Sequence, residues 1–181
     1  MKCSMLQGLA EVGGVKRGKA VRCGTFNSSP LEERDLVTGD FSGGLAVWDV
    51  DDLDRPVEEV KGAHPDLVHC VTGGPGLLVS GGREGVVKVW DVRRQSSLST
   101  LETGQPAVSL DIHQTAPLFT VSGGGPGHQL TVWGLGGNIV NTVRTVRPGT
   151  NTTAIRHHPT LLRLAAAASD LSLGVWGYRK Y

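Results

Sequence analysis

All four tryptophans of this 181-residue chain, Trp48, Trp90, Trp133 and Trp176, fall into one register, 42, 43 and 43 residues apart. No other feature constrains the fold as strongly. A unit of about 40 residues holds four short strands and their turns, and such a unit cannot bury an apolar face alone. Successive units must therefore stack, with each tryptophan at the same place in its unit.

The residues leading into each tryptophan repeat as well. Gly44-Leu45-Ala46-Val47-Trp48-Asp49 aligns with Val86-Val87-Lys88-Val89-Trp90-Asp91, and with Leu130-Thr131-Val132-Trp133-Gly134 and Leu173-Gly174-Val175-Trp176-Gly177. Short alternating runs rich in β-branched residues predict half-buried strands. A second apolar run lies upstream of each: Asp35 to Gly39, Leu77 to Gly81, Leu118 to Gly123 and Leu164 to Ser169. A third precedes it: Val21 to Phe26, Leu67 to Val71, Val108 to His113 and Thr153 to His157. Turn residues separate these runs, and no stretch of useful length has a helical period. The predicted class is all-β: a β-propeller of four blades, either a partial ring or a fragment of a larger propeller.

Pro56 to Lys61, Ser97 to Glu102 and Ile139 to Val146 fit the fourth strands of the first three blades. The last repeat has no room for one, since Tyr181 follows Trp176 by five residues. Met5 to Val12, in an N-terminal segment spanning 1–20, is the candidate closing strand. The repeats themselves are expected over 21–181, at about 21–62, 63–105, 106–149 and 150–181.

Through these motifs nearly the whole chain resembles the WD-repeat β-propeller family. Residues 21–91 are similar to the Monad-type dynein-arm assembly factors. The match runs through Arg22-Cys23-Gly24-Thr25-Phe26, Leu36-Val37-Thr38-Gly39-Asp40-Phe41, Pro56-Val57 and Val60-Lys61-Gly62. Gly85 to Asp91 continues it in a form shared by many WD repeats. Residues 107–177 are similar to the closing blades of the Raptor-type scaffolds of TOR kinase complexes, through Ser109-Leu110-Asp111-Ile112-His113 and Gly137-Asn138-Ile139-Val140-Asn141. Both kinds carry about seven blades, against four here.

The resemblance also implies a hydrogen-bonded tetrad in well-formed blades: a His before the first strand, a hydroxyl on the second, an acid in the next turn and the Trp. In the second repeat these positions map to His64, Ser80, Glu84 and Trp90. The first repeat keeps Thr38 and Trp48, with Ser42 at the acid position. The fourth keeps Asp170 and Trp176, with Ala166 at the hydroxyl position. The third keeps Trp133 alone, with Gly123 and Gly127 at the polar positions. Blades held mainly by apolar packing are the expectation.

With 18 basic and 17 acidic residues the formal charge is +1, so charge gives no reason to expect nucleic acid or a membrane as a partner. Arg93-Arg94 reads as a solvated turn. Leu161 to Ala168 is interrupted by Arg163 and is far too short for a span, and residues 1–20 lack a signal-peptide pattern. Three cysteines without a Cys-x-x-Cys pair fit a reducing, cytoplasmic setting. Cys23 and Cys70 fall at similar places on the first strands and read as core residues. The sequons at Asn27 and Asn151 then have no use.

No constellation reads as catalytic. Gly123 to Gly127 lacks the Lys-Ser/Thr and the helix that a phosphate loop needs. His157 and His158, adjacent on a strand, face opposite ways and read as a strand end, as does His113. Ser80, His64 and Glu84 lack a nucleophile elbow and are accounted for by the tetrad. No catalytic, cofactor or metal residue is expected, and no small-molecule ligand.

What remains is a non-enzymatic scaffold for protein partners. The Monad-type resemblance implies a co-chaperone assembly and preassembling axonemal dyneins, and the Raptor-type one implies TOR-pathway proteins. A truncated propeller without independent function is the third reading. The candidate contact loops carry Asp51, Asp52 and Arg55; Arg83 and Glu84; Arg93 and Arg94; and Arg147. Open first and last blades would expose apolar faces and strand edges, so self-association is also expected.

Overall fold

The computed structural model describes residues 19–26, 35–74, 76–91, 96–123, 129–144 and 151–177. Its strands make four antiparallel sheets, one for each tryptophan, with no helix among the described residues. Blade one is β1 (Val21–Phe26), β2 (Asp35–Asp40), β3 (Leu45–Asp49) and β4 (Glu58–Val60). Blade two is β5 (Val68–Gly74), β6 (Leu77–Gly82), β7 (Val86–Asp91) and β8 (Ser96–Glu102). Blade three is β9 (Ala107–Ile112), β10 (Leu118–Gly123), β11 (Gln129–Gly134) and β12 (Ile139–Arg144). Blade four has β13 (Thr152–His157), β14 (Arg163–Ala168) and β15 (Leu173–Gly177).

Strands pair in chain order within every blade, because connections this short allow only hairpins. The tryptophan of each third strand stands opposite an apolar residue of the second: Leu36, Leu78, Phe119 and Leu164. Most predicted strands match to within a residue at each end, and two among the described residues differ by more. β4 is only three residues long, shorter than the run from Pro56, whose ring nitrogen cannot donate to a ladder. β5 runs to Gly74, beyond the predicted end at Val71, because Gly73 and Gly74 still pair with Leu78 and Leu77. Met5 to Val12 lies outside the described residues, as does β12's predicted continuation to Val146.

The blades pack face to face in series, β1 on β5, β5 on β9 and β9 on β13. Each blade turns a trailing face, built on its second and third strands, toward the next. It receives the previous blade on a leading face that includes its own first strand. Val37 and Leu45 of blade one thus meet Val68, Val71, Leu78 and Trp90 of blade two. Val79, Val87 and Val89 then meet Ala107, Leu110, Ile112, Phe119 and Trp133. Leu130 of blade three meets Ile155 and Leu164 of blade four. Each fully buried Val, Leu or Ile contributes about 1.5–3 kcal/mol, so these seams hold the stack together.

Close approach at the inner strands calls for a glycine. A Cβ on Gly39 would lie 2.7 Å from Val68 Cγ1, and one on Gly81 would lie 2.6 Å from the Ala107 Cβ. Both glycines face the first strand of the next blade, where any side chain would push the seam apart.

Candidate functional site

Blade two holds a complete polar network. His64, just ahead of β5, places Nδ1 2.5 Å from Glu84 Oε1 and Nε2 2.7 Å from Ser80 Oγ. Trp90 Nε1 donates to the same Ser80 oxygen at 2.8 Å. An ionised Glu84 can only accept, so Nδ1 carries the imidazole proton and Nε2 accepts from the Ser80 hydroxyl. The chain of donors runs from Trp90 through Ser80 to His64 and on to Glu84, with Ser80 and His64 each accepting one hydrogen bond and donating another. Burial holds the His64 pKa below the ordinary histidine value, although the hydrogen bond and charge of Glu84 oppose this. The arrangement clamps β5, β6 and β7 together. It offers no accessible nucleophile, because Ser80 is fully buried.

The other blades keep parts of the network. In blade one Trp48 Nε1 donates to Thr38 Oγ1 at 2.9 Å. The acid there comes from Asp40 rather than position 42. Its Oδ1 accepts from the Ser42 amide, the Ser42 hydroxyl and the Gly44 amide, all at 2.8 Å, which closes the β2–β3 turn. Asp170 acts similarly in blade four, accepting from the amide and hydroxyl of Ser172. Ala166 pairs with Gly174 beside Trp176 and supplies no hydroxyl.

Blade three requires a correction. Gly123 does not hold the hydroxyl position, because the β10–β11 hairpin is two residues longer than its counterparts. Trp133 pairs with Phe119, and the equivalent of Ser80 is Val121. Thr103 stands where His64 stands, its amide donating to Gly85 O at 2.8 Å as the His64 amide donates to Gly43 O. Among the described residues the buried Trp133 Nε1 has no acceptor. Thr103, Val121 and Trp133, with Gln105, line a cavity of about 240 Å³. Gly127 lies outside the described residues.

A second polar network joins blades three and four, and the sequence reading missed it. Asp111 Oδ2 accepts from the His157 amide at 2.6 Å and lies 3.3 Å from His157 Nδ1, while Oδ1 lies 3.4 Å from Arg156 Nη1. His157 Nε2 meets Thr120 Oγ1 of β10 at 3.1 Å. His157 therefore fills the seam, its ring edge-on to His113 with centroids 5.5 Å apart. His113 and His158, not His157, are the equivalent strand-end residues. Each accepts on Nδ1 from the second and third amides after it, Thr115 and Ala116 for His113, Thr160 and Leu161 for His158. Among the described residues no group of three or more His, Cys, Asp and Glu could hold a metal ion.

The contact loops do not converge. Asp51, Asp52 and Arg55 are exposed in the β3–β4 connection, whereas Arg83 is exposed in the β6–β7 turn, at the opposite rim. Arg83 Nε lies 4.0 Å from Asp66 Oδ2. Glu84 is drawn in by His64 and leaves the candidate contact set. Arg93, Arg94 and Arg147 lie outside the described residues. Cys23 and Cys70 donate to the carbonyls of Val68 and Ala107 on the next blade. Burial pushes the Cys23 thiol up to about 11 and raises that of Cys70 as well. Both thiols stay protonated and serve as seam residues.

The blade stack is shared with known proteins. Dynein axonemal assembly factor 10 of Xenopus tropicalis is 40% identical over 90 residues, covering 45% of this chain and 25% of the relative. The target of rapamycin complex 1 subunit mip1 of Schizosaccharomyces pombe is 29% identical over 126 residues, 66% of this chain and 9% of the relative. The chain thus spans a small part of the curated relatives it matches. No family model matches it. Among solved structures, Chaetomium thermophilum Raptor superposes with a TM-score of 0.77 at 20% identity, over 91% of this chain and 16% of that one. The computationally designed Ika4 protein gives 0.74 at 18% identity, over 94% of this chain and 99% of that one. The fold is that of a WD-repeat β-propeller in partial form, and over part of its length the chain is homologous to dynein axonemal assembly factor 10.

Proposed function

We propose that this chain is a non-enzymatic scaffold that serves axonemal dynein assembly in the cytoplasm as a chaperone-linked adaptor. The homology to dynein axonemal assembly factor 10 carries this reading. The physical picture is compatible with it. The polar constellations found in the blades are consumed in holding strands and seams, while Asp52, Arg55 and Arg83 are exposed in rim loops. Affinity capture of the tagged chain from ciliated cells tests the proposal. Co-purification of axonemal dynein heavy chains with chaperone components is the expected result.

A second reading, a scaffold in TOR kinase signalling, is favoured by the likeness to mip1 over a larger share of the chain. Recovery of TOR complex subunits without dynein or chaperone components would replace the first reading with this one.

A further inference from the structure

Each first strand carries one extra residue near the same rim. In β1, Val21 and Cys23 pair with the consecutive residues Asp40 and Gly39, which leaves Arg22 outside the ladder. His69 in β5, Val108 in β9 and Thr153 in β13 stand at the same point of their strands. A bulge of this kind re-aims its side chain. Blades one and two place a guanidinium and an imidazole there, whereas blades three and four place an isopropyl group and a hydroxyl. Arg22 and His69 lie side by side across the first seam, because the thiol of Cys23, next to Arg22, donates to the carbonyl of Val68, next to His69, at 3.6 Å. Arg83 joins them from the β6–β7 turn, its amide donating to the Leu67 carbonyl at 3.2 Å. Burial, and after it the charges of Arg22 and Arg83, hold the His69 pKa below the ordinary histidine value, with Asp66 opposing. His69 is thus neutral at pH 7, and the two guanidiniums carry the charge.

We propose that Arg22, His69 and Arg83 form a docking patch for an acidic segment of a partner protein, a run of Asp and Glu side chains laid across the rim of blades one and two. The occupant follows from charge. Arg22 is exposed, and the Arg83 side chain is 62% exposed. Asp66 lies 4.0 Å from Arg83 Nε and is itself 48% exposed, an ion pair worth little in water. Asp40, opposite Val21, is sealed and spends Oδ1 on the Ser42 and Gly44 amides. Incoming carboxylates therefore meet two guanidiniums on adjacent blades, whose planar forks bind carboxylates in paired hydrogen bonds. A nucleic acid would need a longer basic tract, and the chain carries a formal charge of only +1. The inference rests on the reading of the chain as a scaffold for protein partners, and on neither choice of pathway.

Fluorescence anisotropy of a short labelled peptide of alternating Glu and Gly, titrated with the purified full chain, reads the binding. The wild type is expected to bind with a Kd of about 10–100 µM at low salt, and more weakly as salt is raised. The same peptide with Gln in place of Glu should not bind. Arg22→Gln and Arg83→Gln should each weaken binding about 5-fold or more, and Asp66→Asn should tighten it about 2–5-fold, a gain that damage to the fold cannot produce. Arg163→Gln, exposed on blade four at the opposite rim, should leave the affinity unchanged. Equal binding of the Gln peptide, an affinity untouched by Arg22→Gln with Arg83→Gln, no gain from Asp66→Asn, or tighter binding of a single-stranded oligonucleotide of the same charge would each overturn the proposal. Purified components keep this outcome separate from that of the capture from ciliated cells.

Discussion

Replacing Ser80 with alanine isolates the blade-two network with little change in volume. The hydroxyl accepts from Trp90 Nε1 and donates to His64 Nε2, and the residue is sealed from solvent, so water cannot take its place. Two buried groups lose their partner at once. Leaving one buried donor or acceptor unsatisfied costs about 1–3 kcal/mol, and a shared oxygen gives somewhat less than twice that, so a loss of about 2–4 kcal/mol is expected. For a chain of this size the melting midpoint should fall by roughly 5–15 °C.

Urea unfolding followed by far-ultraviolet circular dichroism provides the free energy, and a double-mutant cycle with Trp90→Phe apportions it. In the Trp90→Phe background only His64 Nε2 is orphaned, so Ser80→Ala should cost about half as much there. A Ser80→Ala cost below about 0.5 kcal/mol would refute the assignment of the network as the clamp on β5, β6 and β7.

Four further outcomes follow from the same geometry. Val121→Thr, which offers Trp133 Nε1 an acceptor at the position of Ser80, should stabilise the chain by about 0.5–1 kcal/mol in urea unfolding; a loss instead would mean the indole is not starved of a partner. Leu171→Gly should add about 1 kcal/mol by relieving a left-handed backbone at a non-glycine residue, read from the melt at high dilution. His64 and His69 are both held below the ordinary histidine value, chiefly by burial, so the unfolded chain binds protons more readily; stability is present above about pH 6.5 and lost as the pH falls below it. A melting midpoint that stays flat from pH 7.5 to 5.5 would contradict this. In a Cys3→Ser background, Cys23 and Cys70 should react with a disulfide reagent only after unfolding.

The tryptophan period made the blades legible because strand pairing there is local and every hairpin is short. Tetrad positions were legible wherever hairpin lengths agreed, as with Thr38 and Ser80, each ten residues before its tryptophan. Counting back ten from Trp133 lands on Gly123, and two extra hairpin residues move the true position to Val121. Register is a property of hydrogen bonding, which a count cannot see. The Asp111–His157 bond spans 46 residues and the Thr120–His157 bond 37, so no motif announces either. Asp40 was hidden differently, since its turn-closing role depends on the Ser42 and Gly44 amides and not on any tetrad position.

The polar groups follow an economy that explains why incomplete tetrads are tolerated. In a stack where each blade touches only its neighbours, stability is a sum of what a blade supplies internally and what its seams supply. Blade two, covered on both faces, has the complete internal network. Blade three lacks the tetrad, yet it gives Thr120 and Asp111 to the seam with blade four, which in turn supplies His157. A buried polar network strengthens whichever element it bridges, and here it bridges two sheets instead of three strands of one sheet. Blade four receives that help on its leading face, while Leu173 and Val175 on its trailing face are exposed. Blade four thus depends on the seam that it shares with blade three. Losing the Asp111 and Thr120 seam would release blade four before the blades behind it.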